Sequence, residues 1–353
     1  MKRENTPVQD FACESCGASI YFETKRCPSC GFDLGFAPDV ANMVSLEHQT
    51  DKSPLRERIK SSDHYRHCEN AKHDACNWLV NAHSEHDFCR ACRMNRTIPD
   101  LSDPENVEAW IRIEHAKKRL VYALLRFGLP LEGDHVGKGP LAFDFVQDAT
   151  TGHLDGLVTI DIGEADPVER ERNRVEFDEP YRSLLGHLRH ESGHYYWMLL
   201  VEAGGHLDAY RKLFGDERQD YASSLKRHYE QGTPPGWRET HVSRYASAHA
   251  WEDWAETWAH YLHMVDALDT AANHRLRLKG NESLLSSLGL KRTADAYRES
   301  TIDSLLSDWL PLTKALNSLN RSMGHGDFYP FKISEEVSRK LAFVHGVIRE
   351  GQS

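Results

Sequence analysis

His190 and His194 stand four residues apart, with Glu191 directly after the first. On a helix that spacing brings both rings out on one face, one turn above the other. Two imidazoles so placed can grip a single Zn²⁺, and the carboxylate of Glu191 then lies beside the metal without filling a coordination position. A carboxylate there can take a proton from water activated by the metal and pass it to a leaving amine. The chemistry this predicts is metal-assisted hydrolysis of an amide bond. With 21 histidines in 353 residues, the bare five-residue pattern arises by chance in about one such chain in ten, so its surroundings decide. Leu184, Leu185, Leu188, Tyr195 and Leu199 recur near helical spacing, which puts the motif on a half-buried helix within 181–202. Gly193 costs about 1 kcal/mol of helix propensity, a cost that makes sense where close packing behind the metal needs room.

Such a site needs a third ligand from elsewhere. Trp251, Trp254, Trp258, Leu262 and Val265 form an apolar stripe with steps of three and four, so 249–263 reads as a second helix against the core. Glu252 and Glu256 share one of its faces, one turn apart. The economical assignment has Glu252 ligating zinc and Glu256 hydrogen-bonding a ligand imidazole, fixing its tautomer. Asp253, His249, His260 and His263 stay open as third ligands, and a solvated helix face is the competing reading of the acids.

All eight cysteines lie before residue 93. Cys13, Cys16, Cys27 and Cys30 form two C-x2-C knuckles, each followed by a glycine, as in a zinc ribbon. Four thiolates close a tetrahedron and leave no open position, so this site is structural and its binding energy serves as folding energy. Cys68, Cys76, Cys89 and Cys92 have a less regular spacing and predict a second four-cysteine site. His64, His67, His73, His83 and His86 are alternative ligands there. Redox chemistry through C-x-x-C is the minor reading, because no thioredoxin-like strand–helix context surrounds either pair.

The stretches CESCG…CPSCGFDLGF, CNWLV…CRACRMNRTIPDLS, HLRHESGHYYW, HAWEDWAETWAHYLH and DFYPF run through nearly the whole chain. Together they resemble the bacterial zinc-binding metallopeptidases that carry an N-terminal zinc ribbon. The catalytic segment is also similar to gluzincin proteases of the anthrax lethal factor type. In these, a Tyr, six residues, a ligand Glu, three residues and a second Glu follow the H-E-x-x-H helix; here Tyr245, Glu252 and Glu256 stand at those spacings. The resemblance implies Glu252 as ligand, Glu256 behind it, and Tyr245 as a donor to the oxyanion of the transition state. It also implies one catalytic and two structural zinc ions and a peptide or protein substrate.

The elements that must position these groups follow from the rest of the chain. The fold class expected is α+β and mostly helical: a zincin-like metallopeptidase domain at 101–353, with a small sheet and active-site helices. Before it come a zinc ribbon at 1–36 and, at 37–100, a linker with the second zinc module. Residues 37–66 read as a connection with some helix. A helix starts at Asp103-Pro104 and runs to Gly128. Strands at 141–146 and 156–162 flank a turn at Thr151-Gly152, and 156–162 is the candidate edge strand for holding an extended substrate. The charged run 166–179 reads as a surface loop or lid, 209–230 as one helical stretch, and 283–288, 301–319 and 334–348 as further helices. Asp327 and Tyr329 lie in a turn-rich link.

A net charge of −11 argues against broad binding to nucleic-acid backbones. No apolar run of about 18 residues predicts a membrane span. The first residues lack the apolar stretch of a secretory signal, so the cytoplasm is the expected compartment. Two other classes stay open: a protein- or nucleic-acid-binding adaptor with structural zinc sites only, and a hydrolase of non-peptide amides.

Overall fold

The computed structural model of the chain describes residues 11–47, 55–133, 135, 137, 139–176, 179–274, 276, 295–299 and 301–351. The first knuckles close as tight turns: the Gly17 N–H donates to the Cys13 carbonyl at 2.8 Å and the Gly31 N–H to that of Cys27 at 2.9 Å. Both glycines take positive φ, +75° and +77°, which explains why glycine follows each pair.

Between residues 37 and 66 the structure holds strands where the sequence suggests some helix. Strands β1 (Asp33–Ala37) and β2 (Asn42–Leu46) form an antiparallel hairpin. Strands β3 (Arg56–Glu57), β4 (His64–His67) and β5 (Leu79–Asn81) form an antiparallel sheet in that order. The hairpin buries Phe36, Met43, Val44 and Leu46. In strands this short, pairing decides the conformation and local pattern does not.

Helix α1 (Pro104–Arg126) begins as expected, with the Asp103 side chain accepting the Glu105 N–H and Pro104 in the first turn. A four-stranded sheet packs beside it, in the order β6 (Asn95–Thr97), β7 (Ala142–Val146), β9 (Leu157–Asp161), β8 (Gly152–Leu154). β6, β7 and β9 run parallel, and β8 folds back antiparallel on β9. The edge strand next to the candidate helix is therefore β8, and 156–162 is interior to the sheet. Thr151-Gly152 opens β8; the turn sits at Asp155-Gly156, where φ is +47° and +87°.

The run after the sheet is a helix, α2 (Pro167–Glu176), with no buried residue. Next comes α3 (Leu184–Trp197), capped by Ser183 and drawn out through a π-helical turn at Met198–Glu202. Gly204-Gly205 ends it. The stretch 209–230 is two helices, α4 (Leu207–Phe214) and α5 (Tyr221–Gln231), because Gly215 at φ +100° breaks the run. α6 (Ala250–Asn273), α7 (Ile302–Ser322) and α8 (Glu335–Glu350) are the remaining α-helices among the described residues. The helix expected at 283–288 lies outside the described residues.

The core is continuous from the cysteine-rich part to the helices. Phe11, Phe22, Phe36 and Trp78 interlock with Tyr122 of α1, ring centroids 4.5–6.3 Å apart, and Tyr122 meets Tyr297 beyond α6.

Candidate metal centre

Two helices build the site. α3 and α6 cross at Gly193, where an added Cβ would lie 3.0 Å from Trp258 Cδ1 and 3.1 Å from Ala255 Cα. The missing side chain lets the two backbones approach. Two indoles lock the register: Trp254 Nε1 donates to the Gly193 carbonyl at 2.8 Å, and Trp258 Nε1 to Ser192 Oγ at 3.2 Å.

This packing aims His190, His194 and Glu252 at one point. Glu252 Oε2 lies 2.9 Å from His190 Nε2 and 3.7 Å from His194 Nε2. All three residues are buried, and one donor atom from each falls within 4.8 Å of the others. Glu256 Oε1 is 2.7 Å from His190 Nδ1, behind the imidazole. The Trp251 ring covers His194 at 4.1 Å between centroids, and the His194 Nδ1 has no hydrogen-bond partner among the described residues.

The other open candidates are occupied elsewhere. His249 caps α6, its Nδ1 accepting the Trp251 N–H; Asp253 is paired with Lys340. His260 Nδ1 is 2.8 Å from Tyr329 Oη, and His263 is in contact with Arg189. Asp327 pairs with Arg321.

Charge reports the same arrangement. Burial opposes a proton on His190, but Glu252 and Glu256 outweigh it and lift the imidazole well above its ordinary value. Burial likewise opposes ionisation of the two carboxylates, yet the facing imidazoles hold both down at about 2. His194, buried with no carboxylate against its outer nitrogen, falls to about 3. Burial pushes Glu191 up to about 7, and no hydrogen bond from the described residues holds its carboxylate.

Tyr245 lies beside His190, ring centroids 5.9 Å apart, and makes no hydrogen bond to Glu252. Two neighbours that the sequence did not single out line the same space. The Tyr221 hydroxyl donates to Glu252 Oε1 at 2.6 Å. His153 of β8 faces His194 at 6.0 Å, its Nε2 accepting the Gly156 N–H. Tyr221 sits 31 residues from Glu252 and His153 41 from His194, so no spacing rule points to either.

Residues 106–347 match a family described as "Putative zinc-binding metallo-peptidase". The chain belongs to this family. The match runs from α1 into α8 and takes in both helices of the centre. Residues 10–103 match a zinc-ribbon domain. Uncharacterised proteins of Mycobacterium bovis and Mycobacterium tuberculosis are 39% identical over 349 residues, covering 97% of this chain and 96% of theirs. No solved structure matches the chain.

The donor sets fit the metal of this zinc-binding metallopeptidase family. Two imidazoles and a carboxylate, buried together with an acid behind one ring, suit Zn²⁺ in a site with a position to spare. In the cysteine-rich part the sulfurs gather in two groups: Cys13, Cys16, Cys27, Cys30 and Cys68, Cys76, Cys89, Cys92. In the first, Cys13–Cys30 and Cys16–Cys27 are 3.6 Å apart; in the second, Cys76 lies 3.7 Å from Cys89 and 3.8 Å from Cys92. The N–H of Trp78 reaches Cys76 Sγ at 3.4 Å and that of Cys89 reaches Cys68 Sγ at 3.3 Å, as thiolate ligands require. The five nearby histidines take no part in the second cluster. No helix among the described residues is long and apolar enough to cross a membrane.

Proposed function

We propose that this chain is a zinc-dependent hydrolase of peptide bonds, with one catalytic and two structural zinc ions. The observation that carries the reading is the meeting of His190, His194 and Glu252 at one buried point, with Glu191 in electrostatic reach of His190 and Glu252 and its carboxylate without a hydrogen bond among the described residues. Zn²⁺ held by these three ligands supplies a Lewis acid that brings the pKa of water toward about 7 and polarises a carbonyl. Glu191 takes the proton of the attacking water on a carboxylate oxygen and returns it to the departing amine nitrogen. Burial raises the carboxyl, which favours its holding the proton between the two transfers. Glu256 holds the His190 ring through Nδ1. Tyr245, beside that ring, donates a hydrogen bond from its hydroxyl to the oxyanion and keeps its proton. The outer edge of β8 offers main-chain groups to an extended peptide, with His153 and Trp251 as the floor.

The test is a peptide-library digest by wild type and Glu191→Gln, with zinc counted in both. The expected result is unchanged zinc content and a 10²- to 10⁴-fold loss of cleavage in the variant. Cleavage by Glu191→Gln at the wild-type rate refutes the assigned base.

A further inference from the structure

Resting on that reading of the centre, we infer that Tyr221 is a positioning residue that makes Glu252 a one-oxygen ligand. The two carboxylate oxygens of Glu252 face different partners. Oε2 points to the space shared by His190 Nε2 and His194 Nε2, at 2.9 and 3.7 Å. Oε1 accepts the Tyr221 hydroxyl at 2.6 Å. Glu252 is 1% exposed, so water does not reach Oε1 in its place.

A phenol is protonated at neutral pH and is a dependable donor, so the hydrogen bond ties down one oxygen and leaves the other for the metal. Without it, Oε1 is either a buried acceptor with no donor or free to swing toward the ion as a second ligand oxygen. That swing consumes the position the attacking water needs.

The placement of Tyr221 supports a role beyond packing. It opens α5, whose cap is the Asp220 side chain on the Ser223 N–H and whose one buried residue is Ser224. A helix with so little core of its own nonetheless delivers a hydroxyl to a fully buried carboxylate. The ring leans on His249, the cap of α6, and on Trp251 in its first turn, at 5.4 and 6.2 Å between centroids, so the first turn of α5 is held where Glu252 begins its helix. Tyr245 interacts with the Tyr221 hydroxyl and meets Glu252 through charge, with no hydrogen bond to that carboxylate. The two tyrosines thus divide the work: Tyr221 serves the ligand, and Tyr245 stays with the reacting oxygen.

The experiment is a zinc competition on the full chain against a chelator, comparing wild type, Tyr221→Phe, Tyr245→Phe and Glu252→Ala. Cobalt(II) absorption of the same site is recorded in each. Tyr221→Phe is expected to lower zinc affinity at this site 10- to 100-fold and to shift the cobalt bands toward higher coordination. Tyr245→Phe is expected to leave both unchanged. Melting temperatures within a degree or two of wild type show that Tyr221→Phe is folded, and Tyr229→Phe on the same helix controls for loss of a hydroxyl elsewhere on it. Tyr221→Phe with wild-type zinc affinity and cobalt spectrum overturns the inference while leaving the metal centre intact. Glu252→Ala with wild-type affinity overturns the centre itself.

Discussion

Four side chains in two helices carry the account at the scale of single residues. His190 Nδ1 lies against Glu256 and Nε2 against Glu252, so without zinc the ring would keep a proton that the metal must displace. Zinc binding near pH 7 should therefore release a proton, and apparent affinity should rise about tenfold per pH unit until the raised value of His190 is passed. Calorimetric titration in two buffers of different ionisation heat reads the proton count; a count of zero contradicts the arrangement. The sign for folding is opposite. A histidine whose folded value is raised stabilises the metal-free fold fully below about 6.5, and that contribution fades as pH rises through the raised value. His194→Ala removes one of the three proposed ligands and should cost both the third zinc and hydrolysis, unlike Glu191→Gln.

At the scale of elements, the crossing of α3 and α6 sets the geometry, and Gly193 allows it. Gly193→Ala gains about 1 kcal/mol of helix propensity but puts a methyl against backbone and a buried indole, and overpacking of that kind costs about 1–3 kcal/mol. The net effect should be destabilising, with weaker zinc retention, read by thermal melting and metal content. The motif on α3 was legible because ligand spacing is a local property, as was the stripe of Trp251, Trp254 and Trp258 that turns Glu252 and Glu256 inward. β8 was not: three residues become an edge strand only through pairing with β9, and Thr151-Gly152 has the same composition as a turn. The break at Gly215 was visible as a glycine followed by a polar run, but Tyr221 stands seven residues after Phe214 and so keeps the helical phase across it. Tyr221 and His153 reach the centre through tertiary packing alone, so nothing in their own neighbourhoods marks them.

At the scale of the whole molecule, the cysteine-rich part is joined to the helical part by buried charge as well as by rings. Lys117 and Lys118 of α1 are almost fully buried and share Glu114 between them. Lys118 also donates to the Ala75 carbonyl at 2.8 Å, and Glu114 Oε2 lies 3.8 Å from Cys92 Sγ. A tetrathiolate zinc carries two negative charges, and Lys118 is the cation placed to offset them inside the protein; the nearby thiolates lift it well above its ordinary value even though burial opposes the charge. Lys118→Met should cost about 3–5 kcal/mol and speed zinc loss from Cys68, Cys76, Cys89 and Cys92, followed by melting and by release of zinc to a chromogenic chelator. Because the core is continuous through Tyr122, stripping the structural zinc should lower the melting temperature of the entire chain in one transition. Two separate transitions would show that the parts fold independently.

The most direct measurement of the central claim is a crystal structure of the zinc-loaded protein with anomalous scattering at the zinc edge. The account predicts three zinc ions, two in cysteine tetrads and the third held by His190, His194, one oxygen of Glu252 and a water. A third site closed by a fourth side chain, or zinc absent from these three residues, would contradict the hydrolase reading and leave an adaptor with structural zinc alone.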